Sequence, residues 1–433
     1  RQRQMCIRDR RYTIYSHSTI YTYNGFNISN YCLMKNLGLL IICILITACG
    51  KDVINEKSSF NIFEKQSIKF KASSEDTDNQ IITLGSGRLV LKKVRLPLEN
   101  DYLNANAKIT LVSTGDPWDK SGSFFMIPAQ SDYLMQDLAD DNAEFPGIKK
   151  FANQKKAFYP PLELLRFITP FGVGYFNTQE CCEKLKPVYI ARWEDDISWN
   201  EDISHLLPVL KGEILFGVFI DTWSDKGWEI EVSIELSEPG YYKKPKSQNI
   251  VSLINTTPFA PGQNGYDQFD AKPLTASFEL EEDADEVMLY YLTTGHGGHG
   301  TGDEFVKKTN VISLNNQVIK EFIPWRDDCA SFRRFNPSSG VWTETTKWKG
   351  EEIEERIASS DYSRSGWCPG SKVTPKKISL GKLAKGRHEV TVYIPNAQIT
   401  TETEFNFWNV AAYMVYCCLL YTSDAADDTP CVD

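Results

Sequence analysis

The stretch Trp228–Leu236 reads WEIEVSIEL: Trp228, Ile230, Val232, Ile234 and Leu236 alternate without a break with Glu229, Glu231, Ser233 and Glu235. A period of two puts every apolar side chain on one face of a pleated strand, whereas an α-helix would scatter them around its axis. The same alternation recurs at 88–98 (RLVLKKVRLPL), 107–114 (AKITLVST) and 213–223 (EILFGVFIDTW), and later at 276–294, 310–323 and 387–395. Turn residues separate these runs at short intervals, and long amphipathic helical patterns are scarce; Ile203–Leu210 offers one short turn. The fold class is therefore all-β and antiparallel, with strands enough for sandwiches or jelly rolls.

A chain of 433 residues exceeds what one hydrophobic core usually serves. The Pro-, Gly- and charge-rich stretch 237–249 (SEPGYYKKPKSQN) reads as a linker between a first domain at 88–238 and a second at 246–416. Residues 49–87 are expected to be a linker or the remnant of an amino-terminal extension. The two ends read differently: RQRQMCIRDR at 1–10 and CLLYTSDAA at 418–426 can be encoded by one nucleotide string and its reverse complement. Such an inverted repeat resembles a sequencing-library transposon end, so 1–33 and 417–433 are expected to be non-native translation. From Met34, one lysine precedes an apolar run too short to span a bilayer, and Ile46-Thr47-Ala48-Cys49 resembles the bacterial lipobox. The expectation is a signal peptide at 34–48, lipidation of Cys49, and an exported outer-membrane lipoprotein whose membrane contact is that lipid alone.

With tails, leader and Cys49 set aside, Cys181, Cys182, Cys329 and Cys368 remain, an even number suited to an oxidising compartment. Three connectivities are formally possible; a bridge between the adjacent Cys181 and Cys182 is strained and rare, which makes Cys329 with Cys368 the better candidate. The net charge of −10 argues against a nucleic-acid partner, because affinity for a phosphate backbone comes mostly from Lys and Arg.

Polar residues concentrate in four short stretches where strands end. These are 113–122 (STGDPWDKSG), 219–228 (FIDTWSDKGW), 295–305 (GHGGHGTGDEF) and 360–370 (SDYSRSGWCPG). Carboxylates beside tryptophans and an arginine suit a sugar-processing cleft: aromatic faces take the apolar sugar face, acids take hydroxyls or move protons, and arginine orients polar groups. His296 and His299 with Asp303 or Glu304 could instead supply three metal ligands, but His205 and His388 stand far off in sequence. No metal and no cofactor is called for.

RFITP (Arg166–Pro170), DPWD, IDTW and SRSGWCPG, in this order, resemble the peptide-N-glycosidase F family of bacterial glycoamidases, and TTGHGGHGTGDEF and PWRDDCASFRRFNPSSGVW resemble its longer members. The resemblance runs from about Leu89 to Tyr416. It implies two antiparallel eight-stranded jelly rolls side by side. It also implies hydrolysis of the amide between Asn and the innermost N-acetylglucosamine of N-linked glycans, with N-glycosylated proteins or glycopeptides as partners of a monomer. The family's principal catalytic aspartate lands on Asp119 and its supporting acids on Asp221 and Glu304. Asp119 would be the acid/base at the scissile linkage, Glu304 would hold or activate water, and Asp221 would bind the first sugar. Trp118, Trp223 and Trp367 would wall the cleft, His299 would line it, and Arg364 would orient the peptide side. The family also pairs the cysteines matching Cys329 and Cys368. Three departures stand out: Asp221 is commonly glutamate, cysteine pairs flanking Asp119 and Glu304 are missing, and glycine replaces a tryptophan in GHGGH. The glycines there are expected to let backbone approach a sugar. The alternatives are a non-catalytic glycan-binding lipoprotein and a copper-dependent monooxygenase on a related fold.

Overall fold

The computed structural model describes residues 57–71, 81–98, 102–127, 160–173, 193–237, 248–259, 269, 272–297, 302–337, 341–401 and 405–418. His299, Cys181 and Cys182, the leader with Cys49, and the tail beyond Cys418 lie outside them. Two antiparallel β-sandwiches are built from these residues. In the first, a four-stranded sheet runs in the order Lys57–Ile68, Trp228–Ser237, Asn104–Ser113, Asp196–Asp202. It shares a core with a six-stranded sheet in the order Lys372–Val373, Leu162–Ile168, Ser121–Met126, Gly212–Ile220, Leu89–Leu96, Ile81–Leu84. The second sandwich joins Gln248–Asn255, Asn406–Cys418, Ala284–Gly297 and Lys376–Leu383 to Leu274–Leu280, Gly386–Tyr393, Asn310–Leu314 and Gln317–Phe322. Its eight strands match the expected number, whereas the first sandwich has nine of its own and borrows Lys372–Val373 from the second half.

Where alternation was strict, burial follows it: Trp228, Ile230, Val232, Ile234 and Leu236 are all buried. Among the strands outside those alternating stretches, two show why the signal was absent. Lys57–Ile68 falls in the segment expected to be a linker, yet it pairs with Trp228–Ser237 and sends Ile62, Phe63 and Ile68 into the first core. Register shifts at Asn61/Phe63 and Phe63/Gln66, with Lys65 at φ 45°, break the period of two and hide the strand. Leu162–Ile168 is buried at every position, so it has no polar face to alternate with. At the other end, the last strand continues through Cys417 and Cys418, which pair with Gln248 and Ala284, two residues into the segment expected to be a tail.

The sandwiches are joined through a sheet covered on both faces. Leu289, Tyr291, Val410, Ala412 and Met414 point into the second core, while Tyr290, Leu292, Ala411, Tyr413 and Val415 pack into the first. Burial of each of the larger aliphatic side chains among them contributes about 1.5–3 kcal/mol. Arg166, fully buried, forms a bidentate pair with Glu163 (2.8 Å each) and donates to the Asn409 carbonyl across the junction at 2.7 Å. Lys372 and Val373 add backbone pairing with Phe167 and Arg166. The loops of the two halves are thereby held at a fixed separation.

Candidate active site

Each half contributes one acid loop, and each loop is tied down by a buried aspartate that precedes a half-buried acid. In the first, Gly115 turns at φ +117° and Asp116 is fully buried. Its Oδ1 accepts from the Trp118 amide at 3.0 Å; its Oδ2 accepts from the Thr222 hydroxyl at 2.6 Å and the Trp228 indole N–H at 3.2 Å. The Thr169 hydroxyl donates to the Trp118 carbonyl (2.9 Å) and accepts from the Lys120 amide (2.7 Å), so Asp119 sits between two fixed backbone units. In the second loop Asp303 plays the part of Asp116: its Oδ2 accepts from the Trp408 indole and the Gln398 amide, both at 2.9 Å. The Ser365 hydroxyl donates to the Asp303 carbonyl at 2.6 Å, and the Ser365 amide donates to the Glu304 carbonyl at 2.9 Å. Sequence reasoning had not separated these two anchoring aspartates from the acids they position. The signal was there, since both stretches contain Thr-Gly-Asp, at 114–116 and 301–303.

Arg364 joins the two acids. Its Nε donates to Glu304 Oε1 at 2.9 Å and its Nη2 lies 3.5 Å from Asp119 Oδ2. The remaining N–H groups go to the carbonyls of Ser359 (3.0 Å), Tyr362 (3.0 Å) and Ser360 (3.4 Å), and Arg364 is only 3% exposed. It was expected to orient the peptide; the structure places it as a buried link between acids from different sandwiches. Trp367, expected to wall the cleft, lies beneath: it is 2% exposed, donates its indole N–H to the Gly295 carbonyl at 2.8 Å, and sits 4.9 Å from the Arg364 guanidinium. Exposure belongs to Trp118 (52%) and Trp223 (58%), which present ring surface to solvent. Cys329 and Cys368 form a disulfide beside this clamp.

Burial, the largest influence, raises Asp119 above the ordinary carboxylate range against the pull of Arg364 and Lys120. Burial likewise drives Glu304 up to about 7, with Arg364 opposing and the Asp119 charge adding to the rise. Two carboxylates on one guanidinium therefore titrate as a pair, each held above its ordinary range. Asp221 is also raised, first by burial, and its Oδ1 accepts from Arg88 Nη1 at 3.1 Å. The Lys120 ammonium acts on both Asp119 and Asp221. Neither Arg88 nor Lys120 had been singled out from sequence.

The described part of GHGGH, Gly295–Gly297, is tightly packed. His296 lies between the rings of Trp367 (5.3 Å) and Phe407 (5.0 Å), its Nε2 hydrogen-bonds Thr294 Oγ1 at 2.8 Å, and burial pushes its pKa down to about 3. It is a neutral packing residue. Gly295 is pressed against Trp408 and Ser365, and a Cβ on Gly297 (φ +93°) would meet the Phe405 carbonyl. At these two positions the close approach is to the protein's own chain rather than to a sugar. Among the described residues no group of three or more His, Cys, Asp or Glu side chains is arranged to hold a metal ion.

Comparison with known proteins agrees with this architecture. The family described as peptide-N-glycosidase F, N terminal, matches residues 59–236, and peptide-N-glycosidase F, C terminal, matches 265–415. The solved structure of PNGF-II in its P21 form shares 31% identity and a TM-score of 0.71 over 84% of this chain. That alignment covers 66% of the PNGF-II chain, just under two thirds of its length. Recombinant peptide:N-glycanase F aligns at 15% identity and TM-score 0.54, covering 84% of this chain and 96% of its own. The glycosylasparaginase PNGase F from Flavobacterium meningosepticum aligns at 15% and 0.53 with the same coverage. At that identity the likeness is one of fold. No curated protein matches. With both of its domain descriptions matched along the chain and PNGF-II similar over most of it, the protein is a member of the peptide-N-glycosidase F family.

Proposed function

We propose that this chain is a glycoamidase that hydrolyses the amide between Asn and the innermost N-acetylglucosamine of N-linked glycans on proteins or glycopeptides. The observation that carries the reading is the Asp119–Arg364–Glu304 bridge, two half-buried acids from different sandwiches on one buried guanidinium. An amide is a weak electrophile, so water must be activated and the leaving nitrogen must receive a proton. Glu304, ionised, takes a proton from water as its oxygen bonds to the Asn side-chain carbonyl carbon. Asp119 supplies or relays the proton to nitrogen as the C–N bond breaks, leaving aspartate on the peptide and a glycosylamine. Arg364 keeps the carboxylates close without letting both repel freely, and Asp221 hydrogen-bonds the first sugar. The exposed Trp118 and Trp223 take apolar sugar faces.

The glycosylamine decays to free sugar and ammonia. Incubation with a denatured glycoprotein should therefore yield ammonia in step with intact glycan; glycan bound but no ammonia formed would point to a binding protein instead. On the acid side, kcat/KM should fall as pH drops below about 7, because Glu304 must be ionised to activate water. Stability moves the other way. The folded state holds a proton on Glu304 that the unfolded chain loses from 4.5 upward, so unfolding free energy should decline as pH rises from 4.5 to about 7. Chemical denaturation across that range checks the sign, and Glu304→Gln should flatten the slope.

Export and lipidation at Cys49 complete the proposal, on the strength of the leader and of Ile46-Thr47-Ala48-Cys49. Expression in a bacterial host with labelled fatty acid should mark the wild-type chain but not Cys49→Ala, and an unlabelled wild type would remove this part of the reading.

A further inference from the structure

Arg88 caps the tight turn Gly85–Gly87, where its backbone N–H (3.3 Å) and its Nε (3.0 Å) both donate to the Gly85 carbonyl. That fixes the base of the side chain. Its far end does two things at once: Nη1 donates to Asp221 Oδ1 at 3.1 Å, and the guanidinium carbon lies 4.2 Å from the centre of the Trp223 ring. Phe70 closes the group from a third segment, its ring 5.1 Å from Trp223 and its amide on the Ser224 carbonyl at 2.8 Å. Lys71 N–H to Ser86 O, at 2.9 Å, ties that segment to the Arg88 turn. Yet Trp223 stays 58% exposed, so its contacts hold the indole without hiding it.

We infer that Arg88 is a positioning residue for glycan binding: it holds Asp221 and Trp223 as one rigid unit and so sets the affinity for the first sugars. This rests on the glycoamidase reading and goes beyond it. An aspartate and an exposed indole each have rotamers to lose when a sugar arrives, and fixing them beforehand removes that cost from binding. Fixing one carboxylate oxygen on Arg88 leaves the other to accept from a sugar. A planar guanidinium can lie against an indole while donating in its own plane, which an ammonium cannot do. A purely structural role fits less well, because Arg88 braces an indole that the fold leaves 58% exposed.

Steady-state kinetics on one N-glycopeptide test this, with thermal melts of wild type, Arg88→Ala and Arg88→Lys. Expected is a rise in KM of about tenfold for Arg88→Ala with kcat within about threefold, since the lost interaction serves ground state and transition state alike. Arg88→Lys should fall between, pairing with Asp221 but not lying on the indole. If Arg88→Ala fails to fold, Arg88→Lys decides alone. A KM within about twofold of wild type in any folded variant, or a fall in kcat at unchanged KM, overturns the inference. Wild type that releases no glycan would instead sink the glycoamidase reading, so the two failures are told apart by which arm fails.

Discussion

Asp119→Asn is expected to lower kcat for glycan release by about 10²–10⁴-fold, the range by which a positioned proton-transfer group accelerates a reaction. The substitution keeps shape and volume but removes the ability to exchange a proton at the scissile nitrogen. Binding should survive, because Trp118, Trp223 and Asp221 are untouched. Folding should survive too, and the reason is electrostatic. Burial already holds the Asp119 carboxyl above its ordinary pKa, so the native state gains little from its charge, and Arg364 keeps Glu304 as partner. Single-turnover release from a glycopeptide, with a melting curve, reads both effects. A kcat within about tenfold of wild type would remove Asp119 from the chemistry.

Arg364→Ala should damage both activity and stability. Glu304 and Asp119 would lose their shared guanidinium, and three backbone carbonyls would lose a donor. Breaking a buried pair by removing one partner typically costs about 3–5 kcal/mol, because the other charge is left uncompensated. That cost should shrink at acid pH, where Glu304 takes up a proton and no longer needs the cation. Denaturation of the variant at about pH 5 and about pH 8 should therefore show the larger loss at the higher value. Arg364→Lys should not rescue, since an ammonium cannot serve two carboxylates and three carbonyls from a fixed planar fork. Activity near wild type in Arg364→Ala, with equal stability at both pH values, would contradict the clamp.

Sequence and structure diverge where tertiary packing decides. WEIEVSIEL was legible because a half-buried strand writes its two faces alternately. Lys57–Ile68 was not, because bulges break the period, and Leu162–Ile168 was not, because both its faces are buried. In the site, Asp119 and Glu304 were reachable through the order of motifs. The placement of Arg364 was not: no local pattern says that its guanidinium donates to Glu304 and to three backbone carbonyls while pairing with Asp119. Trp367 and Trp223 sit in similar polar stretches, and no local pattern says that one is 2% and the other 58% exposed. Arg88 stands 133 residues from the acid it holds, beyond any local pattern.

The central claim is that water attacks the Asn side-chain carbonyl and the linkage between peptide and glycan breaks at the amide. Digestion of a single-site N-glycopeptide in heavy-oxygen water, followed by mass spectrometry of both products, tests it most directly. The predicted result is one heavy oxygen in a new aspartate at the former glycosylation site, with the glycan released intact. A peptide that keeps its innermost N-acetylglucosamine, or one recovered without the label, would contradict it.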